Sequence, residues 1–387
     1  MRSFLTEEFA TRQIPFLRPT PPRLSEHIEE LRQLEESGQY SNFGPVNTRF
    51  EQALREKIFH NTGAVTSVAN ATLGLMLAIK AVTGDELRNR YALMPSFTFA
   101  ATAQAALWAG LQPVFCDIDP YTWLPDKACE AKLIEQFGDQ IAVVIPYATF
   151  GANLDLEYYE TLGLPVVVDA AASLGTLGAD GRGFGTGCKH PIVYSLHATK
   201  TFSTSEGGVV YCEDDRIIKV IREMSNFGFG EPRIATMLGL NAKMSEIGAL
   251  SAILKLNDLT IAVQRRLALF ERYKSAGLPL TFQASTTTLQ AHQFVPVLLP
   301  TTPSINPEVA KAYLSDLGIG TAAYFRPHLA QHPYFLTRSI AGSLQVTEDV
   351  SSRVISLPLS EAMTFEEVDY VCGALRDCIE TPSRSQQ

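Results

Sequence analysis

Six short runs, Tyr91–Met94, Pro113–Asp117, Ile141–Pro146, Pro165–Asp169, Ile192–Ser195 and Val209–Cys212, are apolar at nearly every position, and helical or turn-rich stretches separate them. A strand that faces water on one side alternates apolar and polar residues. A strand apolar throughout is covered on both faces, which is the signature of a mostly parallel sheet sandwiched by helices. The β-rich run Ala64–Val68 precedes them and brings the expected sheet to seven strands. Ligands of such sheets bind beyond the carboxyl ends of the strands. The ends that matter here are Asp169, which closes Pro165–Asp169, and Pro95–Phe99, which follows Tyr91–Met94.

Helical patterns fill the intervals: Leu24–Glu36 closed by Gly38, Val46–Phe59 after the turn Asn42-Phe43-Gly44-Pro45, Thr72–Val82, and Ala100–Ala109 stopped by Gly110. A long helical stretch runs from Asn241 to about Ser275 and is expected to carry the chain into a second unit. From Leu278 onward a short strand, Phe294–Leu299, mixes with helices Pro307–Leu317 and Thr364–Cys378. The expected division is a large α/β unit over 1–255 and a smaller α+β unit over 256–387, with a frayed tail from Glu380 to Gln387.

Charge and cysteine usage limit the function classes. A net charge of -9 makes the chain a poor electrostatic partner for nucleic acid or an anionic membrane. The six cysteines are scattered, with no CxxC pair and no histidine at zinc spacing, which points to a reducing compartment and to no metal. The residues from Met1 to Arg12 carry charges and lack an apolar core, and no apolar run approaches a membrane span. The expectation is a cytoplasmic protein. His328 and His332 are four apart, but Pro327 and Pro333 disfavour the regular helix a metal pair needs. Gly183-Phe184-Gly185-Thr186-Gly187 lacks the spacing of a dinucleotide loop.

Lys200 lies in Ser195-Leu196-His197-Ala198-Thr199-Lys200, just before Glu206-Gly207-Gly208. Asp169 ends the Val-Val-Val strand about thirty residues upstream. Pyridoxal 5'-phosphate (PLP) requires a lysine to condense with its aldehyde and a carboxylate to keep its pyridine nitrogen protonated, so the pair points to that cofactor. Taken singly, Lys200 reads better as a solvated loop lysine, and Asp169 reads also as a helix cap. Asn70-Ala71-Thr72 joins a strand to an apolar helix, whose free N–H groups suit a phosphate. Plain capping explains the same residues. Ser195 is a second candidate phosphate donor. Phe99, at a strand-to-helix junction, is either core or a stacking surface for a flat ring.

These pieces, in this order, resemble the DegT/StrS family of sugar aminotransferases, PLP enzymes of the fold-type I class. Asn42-Phe43-Gly44-Pro45 with Phe50-Glu51 is similar to the family's opening segment, and Asn70-Ala71-Thr72 to its phosphate turn. Pro95-Ser96-Phe97-Thr98-Phe99 followed by Pro113–Asp119 resembles the block whose last aromatic stacks on the ring. Asp169-Ala170-Ala171 and Ser195–Lys200 with Glu206-Gly207-Gly208 resemble the pyridine and lysine blocks. Gly239–Glu246 is similar to the block whose Asn, here Asn241, reaches the phosphate of the partner subunit, and Ser356-Leu357-Pro358-Leu359 to the C-terminal block.

The resemblance implies a homodimer with shared sites and a ping-pong transamination. Lys200 and Asp169 are the catalytic pair. Ala71, Thr72, Phe99, Ser195 and Asn241 are expected to join them around the cofactor, and Lys243 and His328 are the candidate contacts for the acceptor. The donor is expected to be glutamate or glutamine and the acceptor a keto group on a nucleotide-linked deoxysugar. Amination of a cyclitol or another ketone, and a non-catalytic regulator, are the alternatives. Three positions depart from the family pattern: Ala172 for Gln or His, Lys243 for Arg, and Ala71 for Gly. Relatives that dehydrate sugars carry His in place of the lysine, so Lys200 favours transamination.

Overall fold

The computed structural model describes residues 13–85, 90–178, 180–301 and 305–380. The readings of the first twelve residues and of the tail beyond Glu380 lie outside them.

All seven expected strands form, at Ala64–Val68, Tyr91–Pro95, Gln112–Cys116, Ile141–Val144, Val168–Asp169, Ile192–Ser195 and Gly208–Cys212. Four of them pair side by side: Ala64–Val68, Gly208–Cys212, Ile192–Ser195, Val168–Asp169. Parallel bridges Val144–Val166 and Tyr147–Asp169 join this group to Ile141–Val144, which continues to Tyr91–Pro95 and Gln112–Cys116. Gly208–Cys212 runs antiparallel to both its neighbours, and the other pairings between Ile192–Ser195 and Gln112–Cys116 are parallel. An eighth strand, Ile340–Ala341, adds parallel to Val114 and Phe115 at the edge. It was not expected, because two residues leave no periodicity to read.

Strand side chains alternate between two cores. Leu93, Val144, Val209 and Tyr211 face one core with Phe50, Leu54, Leu250 and Leu256. Ala92, Met94, Val143, Val210 and Cys212 face the other, with Leu75, Ala78, Ile79, Ala103 and Ala106 of the helices Ala71–Thr83 and Ala100–Trp108. Both faces are therefore apolar, as the sequence required. Gly74 lets the first of these helices lie close on the sheet, since a Cβ there would stand 3.1 Å from Val193 Cγ1 and 3.2 Å from Val68 Cγ2.

The expected helix Leu24–Glu36 is broken. Leu24–Glu26 forms a 3-10 turn, His27 leaves helical geometry, and an α-helix runs over Ile28–Ser37. The helix Glu246–Ser275 begins at Ser245, whose Oγ accepts from Gly248 N at 3.1 Å. Its Leu250, Leu256 and Leu259 pack in the core of the large sheet. Its Leu269, Phe270 and Tyr273 pack in a separate core over an antiparallel sheet of Val354–Leu357, Val295–Leu298 and Thr281–Phe282. The helices Pro307–Asp316 and Phe365–Glu380 complete that C-terminal layer. The fold is α/β, with a large and a smaller part. Among the described residues no helix is long and apolar enough to cross a membrane.

Candidate active site

A cavity of about 580 Å³ opens beside the strand ends, lined by Asn70, Ala71, Thr72, Phe99, Asp169 and Ser195, and by Lys200. A larger open depression of about 940 Å³ contains neither Asp169 nor Lys200 among its lining residues.

Asp169 is 2% exposed at the end of its strand. Its Oδ2 accepts from Thr102 Oγ1 at 2.6 Å and its Oδ1 from Ala171 N at 3.1 Å. Burial raises its pKa above the ordinary carboxylate value, against the pull of these two donors and of Lys200. Lys200 Nζ donates to Gln293 Oε1 at 3.1 Å. Burial lowers its pKa from 10.5 to about 8, against the attraction of Asp169. Each charge favours the other, but desolvation outweighs the attraction on both sides. A lysine near 8 carries a free amine in a useful fraction of molecules at neutral pH, which a solvated lysine does not.

The Asn70 side chain caps the Ala71–Thr83 helix by accepting from Leu73 N at 3.0 Å. Ala71 and Thr72, the first residues of that helix, line the cavity together with Ser195. Gly208 makes this turn close-fitting, since a Cβ there would lie 2.7 Å from Ala71 N. Phe99 is 55% exposed at the start of its helix, so it is not a core side chain. Tyr147, Phe294, Tyr324 and Phe325 form an aromatic wall.

Asn241, Lys243 and His328 are not among the residues lining this cavity. Asn241 is exposed, and its Oδ1 accepts from Lys243 Nζ at 2.7 Å. His328 is 2% exposed and its Nδ1 meets Ser96 Oγ at 2.8 Å. Ala172 is buried while Ala171 reaches the lining. Sequence reasoning missed Thr102, Tyr147, Gln293, Phe294, Tyr324 and Phe325. Tyr147 directly follows the Ile141–Pro146 run and was findable as a strand-end residue. The others carry no local signal.

The donor set fits PLP: a desolvated carboxylate, an amine of lowered pKa, a helix N-terminus and an accessible aromatic face surround one cavity. When bound there, that cofactor supplies an electron sink for charge next to a carbon bearing an amino group. Fold and cavity together define a PLP-dependent transaminase. The profile of the DegT/DnrJ/EryC1/StrS aminotransferase family matches residues 23–376, and the chain belongs to that family. The protein Rv3402c of Mycobacterium tuberculosis is 34% identical over 94% of this chain and 90% of its own. The dTDP-4-amino-4,6-dideoxy-D-glucose transaminase of Shigella dysenteriae is 26% identical over 93% and 97%. Among solved structures, a Bacillus cereus protein assigned as a PLP-dependent aminotransferase superposes with a TM-score of 0.89 at 39% identity, covering 94% of this chain and 100% of that one. DesI, solved with its TDP-sugar product, gives 0.84 at 30% identity over 96% and 95%.

Proposed function

We propose that the enzyme moves an amino group from glutamate or glutamine to a keto group on a nucleotide-linked deoxysugar. The observation that carries this reading is the aromatic wall of Tyr147, Phe294, Tyr324 and Phe325, which lines the same cavity as Asp169 and Lys200. Such a wall suits the carbon face of a deoxygenated ring, and aromatic side chains bury that face with large gain. The likeness to DesI, at 30% identity, supports the same acceptor class.

In this reading Lys200 links the cofactor and, once released, moves the proton between the two carbons that exchange the amino group. Asp169 keeps the pyridine nitrogen protonated, with Thr102 holding its carboxylate in place. Ala71 N–H, Thr72 and Ser195 hold the phosphate, and Phe99 covers one ring face. None of the residues lining the cavity is an arginine. Anionic parts of the substrates therefore need a cation from elsewhere, and the half-buried Lys243, beside the exposed Asn241, supplies it across a homodimer interface. His328 remains an acceptor contact only if the chain around Ser96 rearranges on binding. The working units are 1–255 and 256–387, meeting within the long helix. The six cysteines are all free, which accords with a cytoplasmic protein.

The test is a substrate panel. Purified enzyme is loaded with PLP, reduced to its amino form by glutamate or glutamine, and offered nucleotide-linked keto-deoxysugars, free keto-sugars and keto-cyclitols, with products read by mass spectrometry. An aminated nucleotide sugar is the expected product. Amination of a ketone without a nucleotide, and of no other, removes the nucleotide-sugar reading, and failure with both donors removes transamination.

A further inference from the structure

A row of hydrogen bonds leads away from Lys200. Its Nζ donates to Gln293 Oε1 at 3.1 Å, and Gln293 Nε2 donates to Thr199 Oγ1 at 3.4 Å. Thr199 Oγ1 stands 2.8 Å from His197 Nδ1. Thr199 N also donates to that nitrogen, at 3.3 Å, which marks Nδ1 as an acceptor. The imidazole proton then belongs on Nε2, 3.6 Å from Glu206 Oε1. Every hydrogen bond of the row donates in the same sense, from the amine toward the imidazole, and the Glu206 carboxylate lies just beyond it. The hydroxyl proton of Thr199 is spent on His197, so its oxygen takes the amide nitrogen of Gln293. The amide oxygen is thereby turned toward Lys200.

Gln293 is itself fixed from behind. It is 8% exposed. Arg266 Nη1 donates to the carbonyl of His292 at 3.3 Å and to that of Gln293 at 3.0 Å. Thr201 Oγ1 donates to the His292 carbonyl at 3.0 Å. Arg266 is 3% exposed and its charge is met by Glu361, with Nε to Oε2 at 2.7 Å.

We propose that Gln293 is a positioning residue for Lys200, holding its amine by one N–H with the nitrogen lone pair left free toward the cavity. An acceptor at this place leaves the lone pair available for attack and for proton uptake, whereas a donor would tie it up. The proposal rests on the reading of Lys200 as the amine that links the cofactor. Asp169 is the charged group that faces the amine, and His197 with Glu206 lies at the far end of the row.

The experiment compares wild type with Gln293→Leu and Gln293→Glu. In full-length protein prepared without cofactor, the midpoint of Lys200 acetylation against pH is followed by competitive labelling with acetic anhydride and peptide mass spectrometry. Removing a neutral acceptor destabilises the ammonium, and a carboxylate there stabilises it. The midpoint is therefore expected to fall in Gln293→Leu and to rise in Gln293→Glu, each by roughly one pH unit. With PLP bound, the rate of the donor half-reaction is expected to fall at least about tenfold in Gln293→Leu with little change in KM for the donor, as for a lost interaction made at the reacting atoms. Midpoints unchanged in both variants, or moved in the same direction in both, overturn the proposal and leave Gln293 a packing residue. Because the midpoints are read without cofactor, they speak of the Gln293 contact alone. A wild-type protein that takes up no PLP would instead overturn the assignment of Lys200.

Discussion

Thr102 donates its hydroxyl proton to Oδ2 of Asp169 across 2.6 Å, and Thr98 Oγ1 stands 3.0 Å from Thr102 Oγ1. A hydrogen bond to a buried carboxylate is worth about 1.5–3 kcal/mol, so Thr102→Val is expected to weaken retention of the cofactor about ten- to a hundredfold. Thr102→Ser keeps the donor and most of the affinity. Equilibrium dialysis of bound PLP decides it, and wild-type affinity in the valine variant would remove Thr102 from the site.

Lys200→Ala is expected to abolish transamination and the absorbance near about 410–430 nm that a lysine-linked cofactor gives, a band whose position the site tunes. In cofactor-free wild type, reaction of Lys200 with a small aldehyde is expected to climb as pH rises through about 8, where its amine becomes free. A midpoint near the ordinary lysine value would contradict the burial of this amine.

Sharing of sites between subunits is checked by mixing two crippled variants, Lys200→Ala and Asn241→Ala. In the proposed homodimer with shared sites, a hybrid contains one site with both residues intact, so random mixing is expected to restore roughly a quarter of wild-type activity. A mixture no more active than its parts would confine each site to one chain.

Glu361 lies between the buried cations Lys255 and Arg266, with Lys255 Nζ at 2.9 Å. Burial opposes its ionisation, but Arg266 and Lys255 outweigh that and lower its pKa from 4.5 to about 2. A depressed carboxylate contributes stability that is complete above 4.5 and is lost as pH falls toward 2. Glu361→Gln leaves two buried cations without their counter-charge and is expected to cost about 3–5 kcal/mol. Urea unfolding at pH 7 measures this, and the gap to wild type should narrow toward pH 3.

Glu130 is fully buried, and Tyr159 OH donates to its two oxygens at 3.3 and 3.2 Å. Burial raises its pKa from 4.5 to about 8. A raised carboxylate contributes stability that is complete below 4.5 and is lost as pH rises to about 8. Glu130→Gln carries no such charge, so its melting temperature relative to wild type is expected to rise between pH 5 and pH 8. A constant difference across that range would mean that Glu130 does not titrate there.

The strands were legible because each one is apolar through its whole length, and the place of Asp169 at a strand end followed from that. The lysine block was legible because Ser195, Lys200 and the two glycines lie within a few residues of one another. The cavity's other half was not. Gln293, Tyr324 and Phe325 join Lys200 around the cavity from about a hundred residues away, and nothing around them differs from ordinary core sequence. Phe99 was ambiguous because an aromatic at a strand end packs or protrudes according to neighbours the sequence does not reveal. The helix break at His27 and the two-residue strand Ile340–Ala341 likewise depend on tertiary surroundings. The helices Lys127–Phe137, Leu156–Thr161 and Asp215–Met224 went unread, although Asp126, Asp155 and Asp214 cap them by accepting from Cys129, Tyr158 and Arg216. Those caps were visible signals.

Ile340–Ala341 gives the C-terminal part a second hold on the large sheet, remote in sequence from the long helix that leads into it. Further ties lie between and beyond them: His328 meets Ser96 at 2.8 Å, and Val346 N and Thr347 N donate to Asp117. Tyr324 and Phe325 lie on the chain between those two attachments and line the cavity. The aromatic side of the cavity is thus built from a segment tied to the large part of the chain on both sides of it, and through the packing of Phe325 on Phe97, Tyr147 and Phe150.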